Sequence, residues 1–161
     1  MDSFACGSAA LDAYLRTQAL HDQRAHKSRT YVTAQRARVV GYYSLAAASV
    51  QAEDATVRSR AGQGHQPIPA ILLARLAVDT GHQGRGLGEA LLVDALRRCS
   101  AAAETIGARV VLVHAADAGA RAFSERYGFE PTPASPLHLM LLMQDLGATP
   151  AGGGAARTTW P

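Results

Sequence analysis

A glycine-rich stretch, HQGRGLGEALL from His82 to Leu92, has the residue types best suited to binding chemistry. It lies between an apolar run and a segment with helical periodicity. The first N–H groups of a helix have no partner within the helix, and the helix dipole favours negative charge there. Three glycines leave room for a phosphate to approach the backbone: Gly84, Gly86 and Gly88. The pattern therefore predicts an anion-binding loop, with Gln83 and Arg85 adding donors at its rim.

The spacing of this stretch argues against two common glycine loops. A P-loop places Lys and then Ser or Thr after its last glycine, where this sequence has Glu89 and Ala90. A dinucleotide-binding fingerprint requires G-x-G-x-x-G, which GRGLGE does not match. A tight turn that merely uses glycines is the alternative left open by the spacing alone.

Positive charge is concentrated in one early segment. Six basic residues and a single acid, Asp22, lie between Arg16 and Arg38, so this segment carries +5 while the rest of the chain carries −2. A basic patch of this kind attracts polyanions such as RNA. A solvated helix face is the alternative interpretation.

Helical and strand-like patterns alternate along the chain and predict a mixed α/β domain with a central sheet covered by helices. A first helix is expected after Ser8 as N-cap, a second from Leu87, and a third between Asp117 and Gly128. Residues 51–67 are expected to form a long loop with room for a short helix. The predicted strands are residues 28–35, 38–50, 68–78, 108–115 and 137–143.

Length and composition predict one domain over residues 1–146, followed by a flexible tail over residues 147–161. No apolar run reaches the roughly 18 residues of a membrane helix, so no membrane association is expected. Cys6 and Cys99 have neither the spacing of metal ligands nor that of a disulfide framework, so no metal is expected. A cytoplasmic location follows as the simplest prediction.

Two motifs carry a resemblance to the GNAT family of N-acetyltransferases. LARLAVDTGHQGRGLGEALL resembles the family signature Q/R-x-x-G-x-G/A, with Gln83, Gly86 and Gly88 at its defined positions. AFSERYGFEP resembles the family's second landmark, A-x-x-F-Y-x-x-x-G-F. The resemblance implies a GNAT fold, with a mixed, mostly antiparallel central sheet flanked by helices, and acetyl-CoA as the cosubstrate.

The same resemblance implies which residues bind the coenzyme. The loop backbone is expected to bind the pyrophosphate, and the preceding strand is expected to hydrogen-bond the pantetheine arm. The residues implied are Leu76, Ala77, Val78, Gln83, Gly84, Arg85, Gly86, Leu87, Gly88 and Phe123.

A wider resemblance links the chain to the acetyltransferase toxins of bacterial type II toxin–antitoxin pairs, on the segments FACGSAALDAYL, SRTYV, VVGYYSLA, IPAILLARLAVD and PLHLMLL. It implies acetylation of the α-amino group of aminoacyl-tRNA, an antitoxin protein as partner, and a homodimer. The residues expected to contact tRNA are Arg24, Lys27, Arg29 and Arg75. For Arg75, contact with a coenzyme phosphate and an internal ion pair with Asp79 are alternatives.

Acetyl transfer requires a neutral amine, a polarised thioester carbonyl and a proton for the leaving thiolate. An α-amino group has an ordinary pKa of about 7.7–8.0, so it needs a weaker base than a lysine side chain does. In the family a tyrosine after the landmark phenylalanine donates the proton, but here Ser124 stands there. Three interpretations are left open: Ser124 donates the proton through a water, Tyr127 donates it instead, or the protein binds acetyl-CoA and is only weakly active. A small amine or a protein is the alternative acceptor.

Four other positions carry expectations. His114 is expected to be a hydrogen-bonded core residue, with contact to substrate as the alternative. Tyr42 and Tyr43 are expected to point to opposite faces of a strand, whereas Phe4 and Tyr31 should pack internally. The family resemblance also implies a strand before Phe4, for which residues 1–3 leave no room.

Overall fold

The computed structural model describes residues 3–146. The predicted tail, residues 147–161, lies outside the described residues. The helices are α1 (Ala9–Ala13), α2 (Ala19–Arg24), α3 (Val57–Arg60), α4 (Leu87–Thr105) and α5 (Ala118–Glu125). The strands are β1 (Arg29–Gln35), β2 (Arg38–Val50), β3 (Ile68–Val78), β4 (Val110–His114), β5 (Glu130–Pro131) and β6 (His138–Leu142). Four short helical turns complete the backbone: a π-helical turn, Tyr14–Gln18, and 3-10 turns at Ala52–Asp54, Thr80–His82 and Met143–Asp145.

The six strands form one sheet in the order β1-β2-β3-β4-β6-β5. The β1–β2, β4–β6 and β5–β6 pairs are antiparallel, whereas β3 and β4 are neighbours connected through α4, the connection typical of a parallel pair. The predicted mixed, mostly antiparallel α/β fold is confirmed. The two-residue strand β5 was not predicted, because two residues carry no periodic signal.

The described residues divide into two compact units. The first unit comprises residues 3–46 and 73–95, and the second comprises residues 47–72 and 96–146. Each unit has its own apolar core, and each core contains side chains from the sheet.

The core of the first unit lies between the sheet and the helical segment that contains α1 and α2. Tyr42 is fully buried, its hydroxyl donates to the Leu11 carbonyl at 2.8 Å, and Phe4 packs edge-on against its ring. Burial raises the pKa of Tyr42 well above its ordinary value. Ser8 caps α1, accepting a hydrogen bond from the Leu11 N–H, as predicted.

The opposite face of β2 packs against α4. Tyr43 is fully buried, its hydroxyl donates to Asp94 at 2.5 Å, and its ring stacks on Tyr31. A Cβ atom at Gly41 would lie 2.9 Å from Leu91 Cδ1, so this glycine permits the close approach of helix and strand. The predicted alternation of Tyr42 and Tyr43, and the internal packing of Phe4 and Tyr31, are confirmed.

The core of the second unit is aliphatic and surrounds β4 and β6. Asp117 caps α5, accepting a hydrogen bond from the Ala120 N–H at 2.8 Å, and Gly128 follows the helix with a φ of +94°. Both residues act as the sequence predicts. Arg109 donates to the Ser59 and Ala61 carbonyls and thereby fixes the end of α3.

Candidate active site

The glycine loop leads from β3 into α4 through the 3-10 turn Thr80–His82. Gly84 and Gly86 have φ values of +74° and +82°, a region where other residues are strained. The Ala90 N–H donates to the Gly86 carbonyl at 3.0 Å, so the three N–H groups before it belong to the first helical turn, where no helical acceptor exists. The first unit therefore has the strand, loop and helix start that an anion-binding site requires.

The side chain of Gln83 donates to two backbone carbonyls. Its Nε2 donates to the Cys6 carbonyl at 3.0 Å and to the Val78 carbonyl at 2.9 Å. The amide thus ties the loop to the end of β3 and to the segment before α1. The roles of Gln83 and Arg85 as donors to a bound anion stay predictions, and both residues are exposed on the loop.

Asp79 holds the end of β3 in place, although the sequence drew attention to it only as a possible partner of Arg75. Its carboxylate is 3% exposed and accepts hydrogen bonds from the Ala5 N–H, the Gly81 N–H and the Arg38 guanidinium, at 3.1 to 3.2 Å. Burial raises its pKa, but these three donors together with His82 outweigh this effect and hold the pKa of Asp79 below its ordinary value of 3.8. The Asp-Thr-Gly tripeptide after an apolar strand was the available signal, since aspartate often caps such a turn.

We expect Asp79→Asn to lower the free energy of unfolding by about 1–3 kcal/mol at neutral pH, because the amide leaves buried donors unsatisfied. A carboxyl group whose pKa is lowered by folding stabilises the fold above its unfolded pKa, and this contribution is lost as the pH falls through the folded pKa. The difference between wild type and variant should therefore vanish as the pH falls below about 4. Urea unfolding followed by circular dichroism measures it. Glu104→Gln, an exposed carboxylate on α4, is the matched control, and an equal loss there would refute the assignment.

Arg75 does not pair with Asp79. Its guanidinium lies over the ring of Tyr14, 3.6 Å from the ring centroid, and the Tyr14 hydroxyl lies 3.0 Å from Ser28 Oγ. Arg38, from the basic segment, occupies the place at Asp79 instead. The internal ion pair considered for Arg75 is therefore wrong.

The remaining basic side chains of the early segment lie on the surface of the first unit. Arg16, Arg24, Lys27 and Arg29 are exposed, and none makes an ion pair within 4 Å with another residue of the described range 3–146. No ion pair of this length therefore holds these four side chains in one geometry in this part of the chain.

The second unit contains the residues predicted to supply the proton. Ser124 is 6% exposed, and its hydroxyl donates to the Ala120 carbonyl one turn earlier, at 3.0 Å. Phe123 and Tyr127 are half-buried, with their ring centroids 5.2 Å apart. The only proton on Ser124 Oγ is thus engaged with the helix.

Neither cysteine has the properties of a nucleophile. Burial raises the pKa of Cys99 to about 12, and burial together with the nearby Asp12 raises the pKa of Cys6. Both thiols are protonated at neutral pH and are therefore poor nucleophiles.

His114 is not a core residue. Its side chain is exposed, and its ring stacks on that of His138 across the β4–β6 pair, with centroids 4.1 Å apart. Partial desolvation, and then the neighbouring His138, lower the pKa of His114. The prediction of a hydrogen-bonded core histidine is wrong, because His114 is the last residue of β4 and lies beyond the buried part of that strand.

A strand that runs into a positive-φ glycine loop and the start of a long helix is an arrangement that binds phosphate groups. The sequence model of the acetyltransferase (GNAT) domain matches residues 26–131 of the chain. The chain therefore belongs to the GNAT family of acetyltransferases and is an acyltransferase. No helix within residues 3–146 has the length and apolar character to cross a membrane.

One relative and two solved structures illustrate the similarity. A tRNA-acetylating toxin of Mycobacterium tuberculosis is 51% identical over 91% of this chain and 87% of its own length. The structure of AtaT complexed with acetyl-methionyl-tRNAfMet is 25% identical, covers 91% of this chain and 89% of its own, and superimposes with a TM-score of 0.83. The structure of AtaTR bound with acetyl-CoA is 27% identical, covers 91% of this chain and 88% of its own, and has a TM-score of 0.78.

Proposed function

We propose that this protein is a toxin of a type II toxin–antitoxin pair that transfers the acetyl group of acetyl-CoA to the α-amino group of aminoacyl-tRNA and thereby blocks translation. The observation that carries the proposal is the 51% identity, over 91% of the chain, to a tRNA-acetylating toxin. The exposed cations of the first unit support it, because tRNA is a polyanion whose binding requires such charge.

The chemistry assigns each segment a task. The start of α4 and the backbone of the loop from Gln83 to Gly88 would hold the pyrophosphate, and Gly84 and Gly86 leave open the space into which a Cβ would project. The segment Leu76–Val78 would hydrogen-bond the pantetheine arm and polarise the thioester carbonyl through a backbone N–H. The amine attacks that carbonyl, the new N–C bond forms, the C–S bond breaks, and the amine releases a proton to solvent.

The leaving thiolate needs a proton, and we assign its donation to Tyr127. The phenol has an ionisable proton on a half-buried side chain, next to Phe123. Ser124, in contrast, is buried, and its hydroxyl donates to the Ala120 carbonyl. A serine is also a far weaker acid than a phenol, so action through a water is the less suitable route.

The decisive experiment uses purified protein, acetyl-CoA and a total pool of charged tRNA. After digestion of the RNA, mass spectrometry detects N-acetyl-aminoacyl-adenosine and identifies the amino acid. Deacylated tRNA and spermidine serve as controls. We expect acetylated product with charged tRNA and with neither control. Acetylation of spermidine alone would show instead that the acceptor is a small amine.

A second candidate function is favoured by Ser124. If loss of the family tyrosine has disabled the chemistry, the protein would bind acetyl-CoA and turn over slowly or not at all. In the same experiment this function predicts acetyl-CoA binding by calorimetry without acetylated product from any acceptor.

The exposed cations make a separate prediction about affinity. The double variant Arg24→Gln and Arg29→Gln should weaken tRNA binding about tenfold and reduce the slope of log K against log salt by about 1.5–2, because two phosphate contacts are lost. Filter binding at several salt concentrations measures both quantities. Arg60→Gln with Arg97→Gln removes the same charge from exposed positions of the second unit and should leave the slope unchanged. Lys27→Gln extends the series, and equal slopes for both double variants would refute the assignment.

The remaining expectations concern the assembly. We propose that residues 1–146 form one catalytic domain, that the protein acts in the cytoplasm, and that a cognate antitoxin restrains it. A homodimer is proposed on the resemblance to the toxin branch of the family. Light scattering of the purified protein, alone and with the antitoxin, tests both the dimer and the complex.

A further inference from the structure

Arg75 is a cation whose side chain has well-defined surroundings. It lies in β3, one residue before the segment Leu76–Val78, so its Cα is about 3.8 Å from that of Leu76. One face of its guanidinium is covered by the Tyr14 ring at 3.6 Å. Tyr14 is 6% exposed and is held by its hydroxyl contact with Ser28 and by stacking on Tyr42. The guanidinium is therefore fixed in position by a rigid aromatic platform.

The edge of this guanidinium is not used by the protein. Arg75 makes no hydrogen bond or ion pair with any residue in the described range 3–146. A guanidinium has five N–H donors in a planar fork that matches the oxygens of a phosphate, and stacking occupies its face without using its edge. A fixed, half-buried cation with free donors is suited to an anionic group on a ligand.

Arg75 lies on the face of the sheet opposite to the start of α4, where we propose that the coenzyme phosphates bind. Ala77, two residues along, packs with Tyr14 and Tyr42 in the core of the first unit. Val78, in contrast, faces the start of α4, because a Cβ added at Gly88 would lie 3.8 Å from its Cγ2. Since side chains alternate along a strand, Arg75 lies on the face of α1 and α2, and the first turn of α4 lies against the other face. The face of Arg75 also carries the exposed Arg16 and Arg24 on its helical segment.

We infer that Arg75 binds a backbone phosphate in the single-stranded 3′ end of the acceptor RNA and so positions the terminal aminoacyl ester beside Leu76–Val78. This inference rests on the proposed function and specifies how the substrate is held. The exposed cations on α2 and β1 contribute to binding without fixing a geometry, whereas the stacked Arg75 fixes the end that reacts. Arg75 is thus a positioning residue, because it contacts a part of the substrate that undergoes no chemical change.

The test compares two acceptors with the same amine. Aminoacyl-CCA trinucleotide has internucleotide phosphates, and aminoacyl-adenosine has none. Arg75→Gln should lower kcat/KM about 10- to 100-fold for charged tRNA and for the trinucleotide, and about twofold or less for aminoacyl-adenosine. The KM for acetyl-CoA should not change. Arg75→Lys, which keeps the charge and loses the planar fork, should lie between wild type and Arg75→Gln.

Three outcomes would overturn the inference. A raised KM for acetyl-CoA would assign the phosphate to the coenzyme, and an equal loss on all three acceptors would show a structural role. Unchanged kinetics on charged tRNA would show no role at all. Arg97→Gln, which removes an exposed arginine on α4, is the matched control and should match wild type on every acceptor. Failure of the proposed function is recognised separately, since wild type itself would then not acetylate charged tRNA.

Discussion

A chain carrying Gly86→Asp is expected to lose acetyl-CoA affinity by about a hundredfold to a thousandfold. Gly86 has a φ of +82°, which aspartate tolerates better than most residues, and the space around its Cβ position is open for at least 4 Å. The new carboxylate would therefore enter the space that a phosphate needs without disturbing the core. Two like charges about 4 Å apart repel by about 4 kcal/mol at an effective dielectric constant of 20.

Isothermal calorimetry with acetyl-CoA measures this effect, and circular dichroism verifies the fold. The matched control is Gly107→Asp, in the segment that connects α4 to β4. It introduces the same side chain at a position whose surroundings are equally open. Gly107 does not have a positive φ and lies outside the glycine loop, so its variant should bind like wild type. If Gly86→Asp bound acetyl-CoA within about threefold of wild type, the loop would be a turn without a role in binding.

The elements that position the loop were predictable because each has a strong local signal. Strands β1 and β2 are rich in β-branched and aromatic residues on either side of a polar turn, and α4 has a long helical period that begins within the glycine-rich stretch. Asp117 and Gly128 mark the limits of α5 by cap chemistry that depends only on neighbouring residues. These features are local in the chain, so the sequence alone reveals them.

The contacts that hold the loop were not predictable because they join distant segments. Gln83 matches the family signature, yet nothing in its sequence neighbours indicates that its amide bonds Cys6. The Arg38–Asp79 pair and the Arg75–Tyr14 stack link residues 41 and 61 positions apart. Periodicity places each of these side chains on a face but does not select the partner, since several cations could reach one carboxylate. The partner depends on strand register and on how the first helical segment packs.

These contacts also explain how the loop remains open with so few polar side chains at its rim. Gln83 and Asp79 direct their polar atoms inward, to backbone groups at the end of β3 and before α1. The backbone N–H groups at the start of α4 are thereby left as the anion-binding surface. Gln83 stands at the first position of the family signature, where either Gln or Arg occurs. Both residue types have several N–H donors, so either could bind the backbone of the loop rather than the ligand.

The second large effect concerns the proton for the leaving thiolate. Tyr127→Phe is expected to lower kcat about 10²- to 10⁴-fold, the usual contribution of a general acid, with unchanged acetyl-CoA affinity because the ring still packs against Phe123. Ser124→Ala is expected to change kcat by about twofold or less, because its hydroxyl donates to the Ala120 carbonyl. Single-turnover kinetics with charged tRNA separates the chemical step from binding.

The reverse result, a large loss for Ser124→Ala and none for Tyr127→Phe, would assign the proton to Ser124 acting through a water. A rescue experiment adds an independent test, because the family places a tyrosine at position 124. Ser124→Tyr in the Tyr127→Phe background should restore activity if a phenol is what the reaction lacks, and Ser124→Phe, which has the same ring without a hydroxyl, should not. Since Ser124 is 6% exposed, both rings impose a similar packing strain, and the difference between them isolates the hydroxyl. If both rescue variants regained the same activity over the Tyr127→Phe background, no side-chain acid at position 124 would be needed, and solvent would protonate the thiolate.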